Sequence, residues 1–244
     1  MKLILGIGLV VFSAQLFAQN AIPSGTILPV ALDHSLNARK VKLGEVIRAR
    51  VMQDVPLTPS SKLHAGAKVI GRVINVKPAT RNTGAQVSFR LDTLVISKHR
   101  TSITSDVRAL ASAMAVEDAQ IPDGGPDRGT PAAAWTTNQI GGEVVYRGGG
   151  PVANGLRSVG EPTHNGVLVH ISGKPGAKCR GETEGNDRLQ ALWVFSSDAC
   201  GVYGFANMVI VHAGRSAPVG EITLASNHGN LNVKAGSGML LRVD

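Results

Sequence analysis

Residues 3–12 form an almost unbroken apolar run behind Lys2, and from Ile22 onward the chain changes to short stretches of alternating apolar and polar residues. Alternation with a period of two sets one face of a strand in a core and the other in water. Glu45-Val46-Ile47-Arg48-Ala49-Arg50-Val51 follows this pattern, and so does Lys68-Val69-Ile70-Gly71-Arg72-Val73-Ile74-Asn75-Val76. Residues 26–32, 86–91, 93–96 and 101–107 read as strands of the same kind. Pro23-Ser24-Gly25, Lys42-Leu43-Gly44, residues 56–61 and Asn82-Thr83-Gly84 supply the turns between them. The short, even spacing predicts an all-β fold, a small β-barrel or sandwich, rather than βαβ units.

One short unit recurs. Ile22-Pro23-Ser24-Gly25-Thr26-Ile27-Leu28 can be laid on Leu63-His64-Ala65-Gly66-Ala67-Lys68-Val69 and on Val233-Lys234-Ala235-Gly236-Ser237-Gly238-Met239. In each, an apolar residue is followed three positions later by Gly, then by a strand. Such a unit is a tight turn whose Gly relieves the steric limits on the backbone. It places the last strands in the same barrel as the first.

Between these ends the pattern is less regular. Residues 111–117 suit one or two helical turns, and Pro122, Gly124, Gly125, Pro126, Gly129 and Pro131 then break any regular element. Residues 139–146 suit a short strand, and Gly148-Gly149-Gly150-Pro151 interrupts again. Residues 166–171, 189–195, 201–205 and 208–212 read as strands, with 189–195 the strongest of them. The expected organisation is a signal peptide at 1–18, the N-terminal part of a barrel at 19–112 and a Gly/Pro-rich linker or loop at 113–160. A disulfide-containing β insertion or subdomain follows at 161–216, and strands at 217–244 complete the barrel.

The N-terminal run reads as an export signal: a positive residue, an apolar segment, and the small residue of Leu16-Phe17-Ala18 before Gln19. It is too short to span a bilayer, which takes about 20 apolar residues. A periplasmic or secreted protein is expected, with no transmembrane segment after cleavage. In that oxidising setting Cys179 and Cys200, the two cysteines of the chain, are expected to form a disulfide. Their spacing to His170 and His212 does not match a zinc site, so no metal is expected.

The formal charge is +8, yet the basic residues are spread along the sequence without a dense block, and aromatics make up 4%. Base-stacking platforms interleaved with cations are therefore missing, and nucleic acid is not an expected partner. The charge suits a basic solvated surface facing an acidic envelope polymer or lipid headgroups.

No Gly-x-Ser-x-Gly elbow and no His-Glu-x-x-His helix occurs. Ser196-Ser197-Asp198, with His170 and His212 in the same region, leaves a Ser/His/Asp arrangement open beside the plainer reading of a turn. Glu182, Glu184 and Asp187 form the densest acidic group. They suit a general acid and base for glycoside hydrolysis, calcium ligands, or a polar hairpin tip. Trp193 and Tyr203 suit sugar stacking or a core. These five are the candidate ligand-binding residues, and no catalytic residue or cofactor is assigned.

Ile22-Pro23-x-Gly25-Thr26-x-Leu28-Pro29, then Lys42-Leu43-Gly44-Glu45-x-x-x-Ala49-x-Val51, then Val69-x-Gly71-x-Val73, resemble the C-terminal β-barrel of the TrbI-like scaffold family of conjugal transfer and type IV secretion core complexes. Ala235-Gly236-Ser237-x-Met239-x-Leu241-x-Val243 is similar to that barrel's last strands. The resemblance covers residues 22–110 and 217–244. It implies a non-enzymatic barrel scaffold and carries no catalytic residues. The family's scaffolds have an inner-membrane helix, a Pro-rich arm and a helical pore hairpin, whereas this chain has a cleavable signal and a Gly-rich, cysteine-bearing β region.

Together these features point to a non-enzymatic exported cell-envelope β protein, a scaffold or binding module whose partners are envelope proteins or polysaccharide, or further copies of itself. The alternative is a secreted hydrolase or carbohydrate-binding protein acting on envelope or extracellular polysaccharide.

Overall fold

Gly25, Gly66 and Gly236 all have left-handed backbones, with φ of 78°, 89° and 82°. Each is the third residue of a turn closed by a backbone hydrogen bond: Thr26 N–H to Pro23 O, Ala67 N–H to His64 O, and Ser237 N–H to Lys234 O. A third-position residue at φ near +80° is the type II requirement that favours Gly. The recurring unit is thus one turn used three times. Gly44, at φ 80°, makes a fourth copy, in which Glu45 N–H donates to Lys42 O.

These turns feed the strands of a structure, a computed structural model, that describes residues 22–122, 135–171 and 188–244. The first half comprises β1 (Ile27–Leu32), β2 (Leu36–Asn37), β3 (Val46–Val51), β4 (Val55–Thr58) and β5 (Ser61–Leu63). It continues with β6 (Lys68–Lys77), β7 (Gln86–Ile96), β8 (His99–Ser102), β9 (Ser105–Ala111) and the helix α1 (Ala113–Asp118). Then come β10 (Thr136–Asn138), β11 (Val144–Tyr146), β12 (Val152–Asn154), β13 (Arg157–Thr163), β14 (Gly166–Val169) and β15 (Gln190–Ala191). The last five are β16 (Gly201–Tyr203), β17 (Met208–Val211), β18 (Ile222–Ser226), β19 (Asn232–Val233) and β20 (Gly238–Val243).

The large sheet runs β16-β9-β20-β1-β3-β6-β7-β18-β17, with β8 also on β7. Its two end strands, β16 and β17, are consecutive in the chain, so the sheet curls into a nearly closed barrel. β20 pairs antiparallel with β1, Leu28 opposite Leu241 and Val30 opposite Met239. The last strands do belong to the barrel of the first. The core inside is aliphatic: Leu28, Val30, Val51, Val69, Leu94, Leu224 and Leu241, with Phe89 the one aromatic among its fully buried residues.

A second, six-stranded sheet, β10-β11-β12-β13-β14-β15, packs on the outside of β1, β9 and β20. Ile27, Ala109, Ala111 and Leu240 leave the barrel's outer face to join Val145, Val152, Val167, Val169, Leu192 and Phe195 in a second core. β9 is buried at every position for this reason. A strand covered on both faces loses the alternation that marks a half-exposed one.

Several expectations change. Residues 136–163, placed largely in a linker, carry β10 to β13. Residues 189–195 are not one strand: β15 ends at Ala191, and Trp193 sits in a turn at φ 52°. Apolar content made that segment look like a strand, but its residues are buried because the loop is sandwiched between two sheets. Residues 86–96 form a single strand, β7, whose register against β6 shifts between Ile70 and Gly71 and between Val73 and Asn75. β16 and β17, assigned to an insertion, are strands of the barrel sheet. The helix falls where expected and is capped by Ser112, whose hydroxyl accepts from Ala115 N–H at 3.1 Å. No helix among the described residues is long and apolar enough to cross a membrane.

Candidate functional site

The polar residues that the fold gathers lie at the seam between the two sheets. Gln53, just past β3, is buried, and its amide reaches across the seam. Its Nε2 donates to Val167 O at 2.8 Å and to Thr163 Oγ1 at 3.1 Å. Its Oε1 accepts from Trp193 N–H at 2.7 Å and from Val167 N–H at 3.3 Å. Gln190 answers from the other side, its Oε1 accepting from Ile27 N–H at 2.9 Å. One glutamine from each body therefore bonds the other's backbone.

Residues 196–200 form the second polar knot. Glu143 is buried, and its carboxylate accepts from Ser197 N–H at 2.9 Å and from the Ser197 hydroxyl. Arg108, on β9 and 1% exposed, donates from Nε to Ala199 O at 3.0 Å and from Nη2 to Ser197 O at 3.1 Å. Burial pushes its guanidinium pKa down to about 10, against the favourable fields of Asp198 and Tyr203. Asp198 accepts from Asn154 Nδ2 at 3.1 Å. This pairing of buried charges with backbone groups meets the desolvation cost of carrying them inside.

That geometry decides the Ser/His/Asp question. Ser196 Oγ is buried with no hydrogen-bond partner, Ser197 Oγ is taken by Glu143, and His170 and His212 are exposed and hydrogen bond to neither. A nucleophile needs a base within reach, and these serines have no histidine. Trp193 is 4% exposed in the second core, with no open ring face for a sugar. Tyr203 is half-buried on β16, and its hydroxyl donates to Cys200 O at 3.2 Å and accepts from Cys200 N–H at 3.0 Å. Cys200 is buried, and no free cysteine occurs among the described residues. Cys179, Glu182, Glu184 and Asp187 lie outside the described residues, as does the signal segment.

A third buried charge, Asp106 on β9, was not singled out by its sequence context. Its carboxylate accepts from Ser216 N–H at 2.9 Å, from the Ser216 hydroxyl and from Gly220 N–H at 3.0 Å, pinning the loop before β18. Beside it, Asp244 is raised above the ordinary carboxylate pKa by burial and by the Asp106 charge. No group of His, Cys, Asp or Glu suited to a metal occurs among the described residues.

The seam also holds an open cleft of about 540 Å³ lined by Met52, Gln120, Thr137, Arg147, His164 and Trp193. Arg147 is fixed there by bonds from Nε to Thr137 Oγ1 at 3.1 Å and from Nη1 to Gly166 O at 3.3 Å. Burial lowers its pKa. Among the described residues no carboxylate lines the cleft.

Glu143, Arg108, Gln53 and Asp106 escaped the sequence reading because none of them belongs to a motif with a recognised chemistry. The one available signal was two charges in the apolar stretch Ser105-Asp106-Val107-Arg108-Ala109-Leu110-Ala111. Comparison with protein-family models, with curated proteins and with solved structures finds no match.

Proposed function

We propose that this chain is a non-enzymatic, exported cell-envelope β module that serves as a scaffold or binding protein, similar in its barrel to the TrbI-like core-complex scaffolds. One observation carries the non-enzymatic half of the reading. The buried polar side chains, Gln53, Gln190, Glu143 and Arg108 at the seam and Asp106 beside the loop before β18, make hydrogen bonds to backbone groups and to serine and threonine hydroxyls of neighbouring segments. Such groups hold a shape; a catalytic constellation instead aims them at an open space.

The export half rests on the N-terminal run, and the family likeness rests on the turn-and-strand motifs of residues 22–110 and 217–244. Pairing of Cys179 with Cys200 belongs to the same reading, since an exported chain meets an oxidising compartment.

The test is to express the full chain with a C-terminal tag, fractionate the cells and determine the intact mass. The reading expects a chain beginning at Gln19 in the periplasmic or envelope fraction, recovered after in-cell crosslinking in a specific envelope assembly. An uncleaved cytoplasmic chain would sink the export half. Turnover of an envelope or extracellular polysaccharide by the purified protein would replace the scaffold with the hydrolase.

A further inference from the structure

Basic residues that are scattered in the sequence converge on one outer face of the barrel. On β3, Arg48 and Arg50 point to solvent; on β6, Lys68 and Arg72; on β7, Arg90; on β8, Arg100. Antiparallel register lines them up in rows. Arg50 stands opposite Lys68, Lys68 opposite Val95, and Val95 opposite Arg100. In the next row Arg48 faces Ile70, and Ile70 faces Thr93. In the third, Arg72 stands directly opposite Arg90. With strands about 4.8 Å apart, the four-strand row spans about 14 Å.

Two of these cross-strand neighbours, Arg50–Lys68 and Arg72–Arg90, are like-charged pairs in direct register. Such pairs destabilise a sheet. Relief is partial: Asp33 takes Arg50 at 2.8 Å, Arg72 reaches Gly44 O at 3.4 Å, Asp92 lies on β7, and Glu221, one step beyond the Ile222–Phe89 pair, borders Arg90. Six cations against three carboxylates, with two like-charged pairs kept at a cost to the fold, point to an anionic partner.

The chemistry of the face selects among such partners. Five of its six cations are arginines, whose planar forks bind phosphate with two parallel hydrogen bonds. Between them lie half-buried aliphatic side chains, Val46, Ile70 and Val95, and no aromatic side chain. Without aromatics there is nothing to stack on bases or sugar rings. Cations ringing aliphatic side chains fit a headgroup layer, where phosphate meets the edge of the acyl region.

We infer that the outer face of β3, β6, β7 and β8 is a docking surface for a bilayer rich in anionic phospholipid. This deepens the proposed function by naming what the module lies against, and it rests on that reading for the place where the encounter occurs. The membrane contact is peripheral, made by side chains on the outside of a barrel whose interior is a packed aliphatic core.

The test is cosedimentation of the full mature chain with vesicles of 70% phosphatidylcholine and 30% phosphatidylglycerol, and with pure phosphatidylcholine, at low and high salt. Binding is expected to the anionic vesicles at low salt and to be lost at high salt, as exposed charges are screened. The triple variant Arg48→Gln/Arg72→Gln/Arg90→Gln is expected to bind on the order of 100-fold more weakly, since each basic residue near such a surface contributes about a factor of five. A second triple variant, Arg39→Gln/Arg157→Gln/Lys234→Gln, removes equal charge from other parts of the surface and should keep most of the binding. Thermal melts confirm that both variants fold; the patch variant, relieved of one like-charge pair, should melt no lower than the parent.

Equal loss in the two variants would overturn the proposal in favour of net charge. So would retention on polygalacturonate or DNA with no binding to anionic vesicles. Because the assay uses purified protein, its failure leaves the fractionation result untouched. A cytoplasmic location would likewise leave the vesicle result standing.

Discussion

Glu143 accepts both the backbone N–H and the hydroxyl of Ser197, so one buried carboxylate fastens the loop after β15 to the turn before β11. Arg108 holds the same loop from the barrel side through Ser197 O and Ala199 O. Replacing Glu143 with Ala leaves two buried donors unpaired and should lower unfolding free energy by about 3 kcal/mol. Glu143→Gln keeps one acceptor and should lose less. Urea denaturation reads both, and a parental midpoint for Glu143→Ala would mean that the loop is held by other contacts.

Gln53 makes four hydrogen bonds across the seam. Gln53→Leu has similar bulk and no polar atoms, so it should cost about 2 kcal/mol. The loss should be local. Amide exchange is expected to speed up in β14 and around Trp193 while β1, β3 and β6 keep their protection. Uniform acceleration through both sheets would show that the two bodies unfold as one unit.

Gly71 and Gly44 separate two reasons for glycine. A Cβ at Gly71 would lie 1.6 Å from Arg90 O, against backbone in the neighbouring strand, whereas at Gly44 it would meet nothing within 4 Å. Gly71→Ala must spread β6 from β7 and should cost about 3 kcal/mol. Gly44→Ala carries the left-handed penalty of its φ of 80° and should cost about 1 kcal/mol. Chemical denaturation of the two variants should reproduce that order.

Asp244 provides a pH test. Burial, and then the neighbouring Asp106 carboxylate, raise its pKa above 3.8, against the pull of Arg242 at 2.5 Å. A carboxyl group whose folded pKa is raised favours the folded state fully below its unfolded value, and that contribution is lost as pH rises through the folded value. Asp244→Asn is neutral throughout. Its melting temperature should therefore gain on the parent as pH rises from 3 to 7. A gap that widens toward acid pH would reverse the assignment.

Non-reducing peptide mapping of the exported protein should recover the Cys200 peptide joined to that of Cys179. On the chain-entropy account a loop of this length stabilises the fold by about 3 kcal/mol, so reduction should lower the melting temperature. A free thiol at Cys200 in the exported protein would remove the pairing.

The barrel strands were legible where one face meets water. In β3, exposed Arg48 and Arg50 alternate with buried Ile47, Ala49 and Val51, and the sequence shows that alternation directly. The repeated turn was legible because its geometry demands one residue type at one position. Residues 189–195 misled because local apolar content cannot tell a strand from a loop buried between two layers, and only the second sheet makes Trp193 a core residue. Glu143 and Ser197 were invisible as a pair, since 54 positions separate them and nothing in the sequence around Ser197 points to Glu143.

The sequence by itself determined the all-β character, the Gly turns at 25, 66 and 236, and the total of positive charge, because these depend on residue type and on neighbours a few positions away. The tertiary structure alone decided which strands pair, which loops lie inside, and where the charge falls. Arg48, Arg72 and Arg90 look dispersed along the chain. Strand register sets them side by side on one face, because pairing brings distant residues within about 5 Å of each other, a distance that spacing in sequence does not encode.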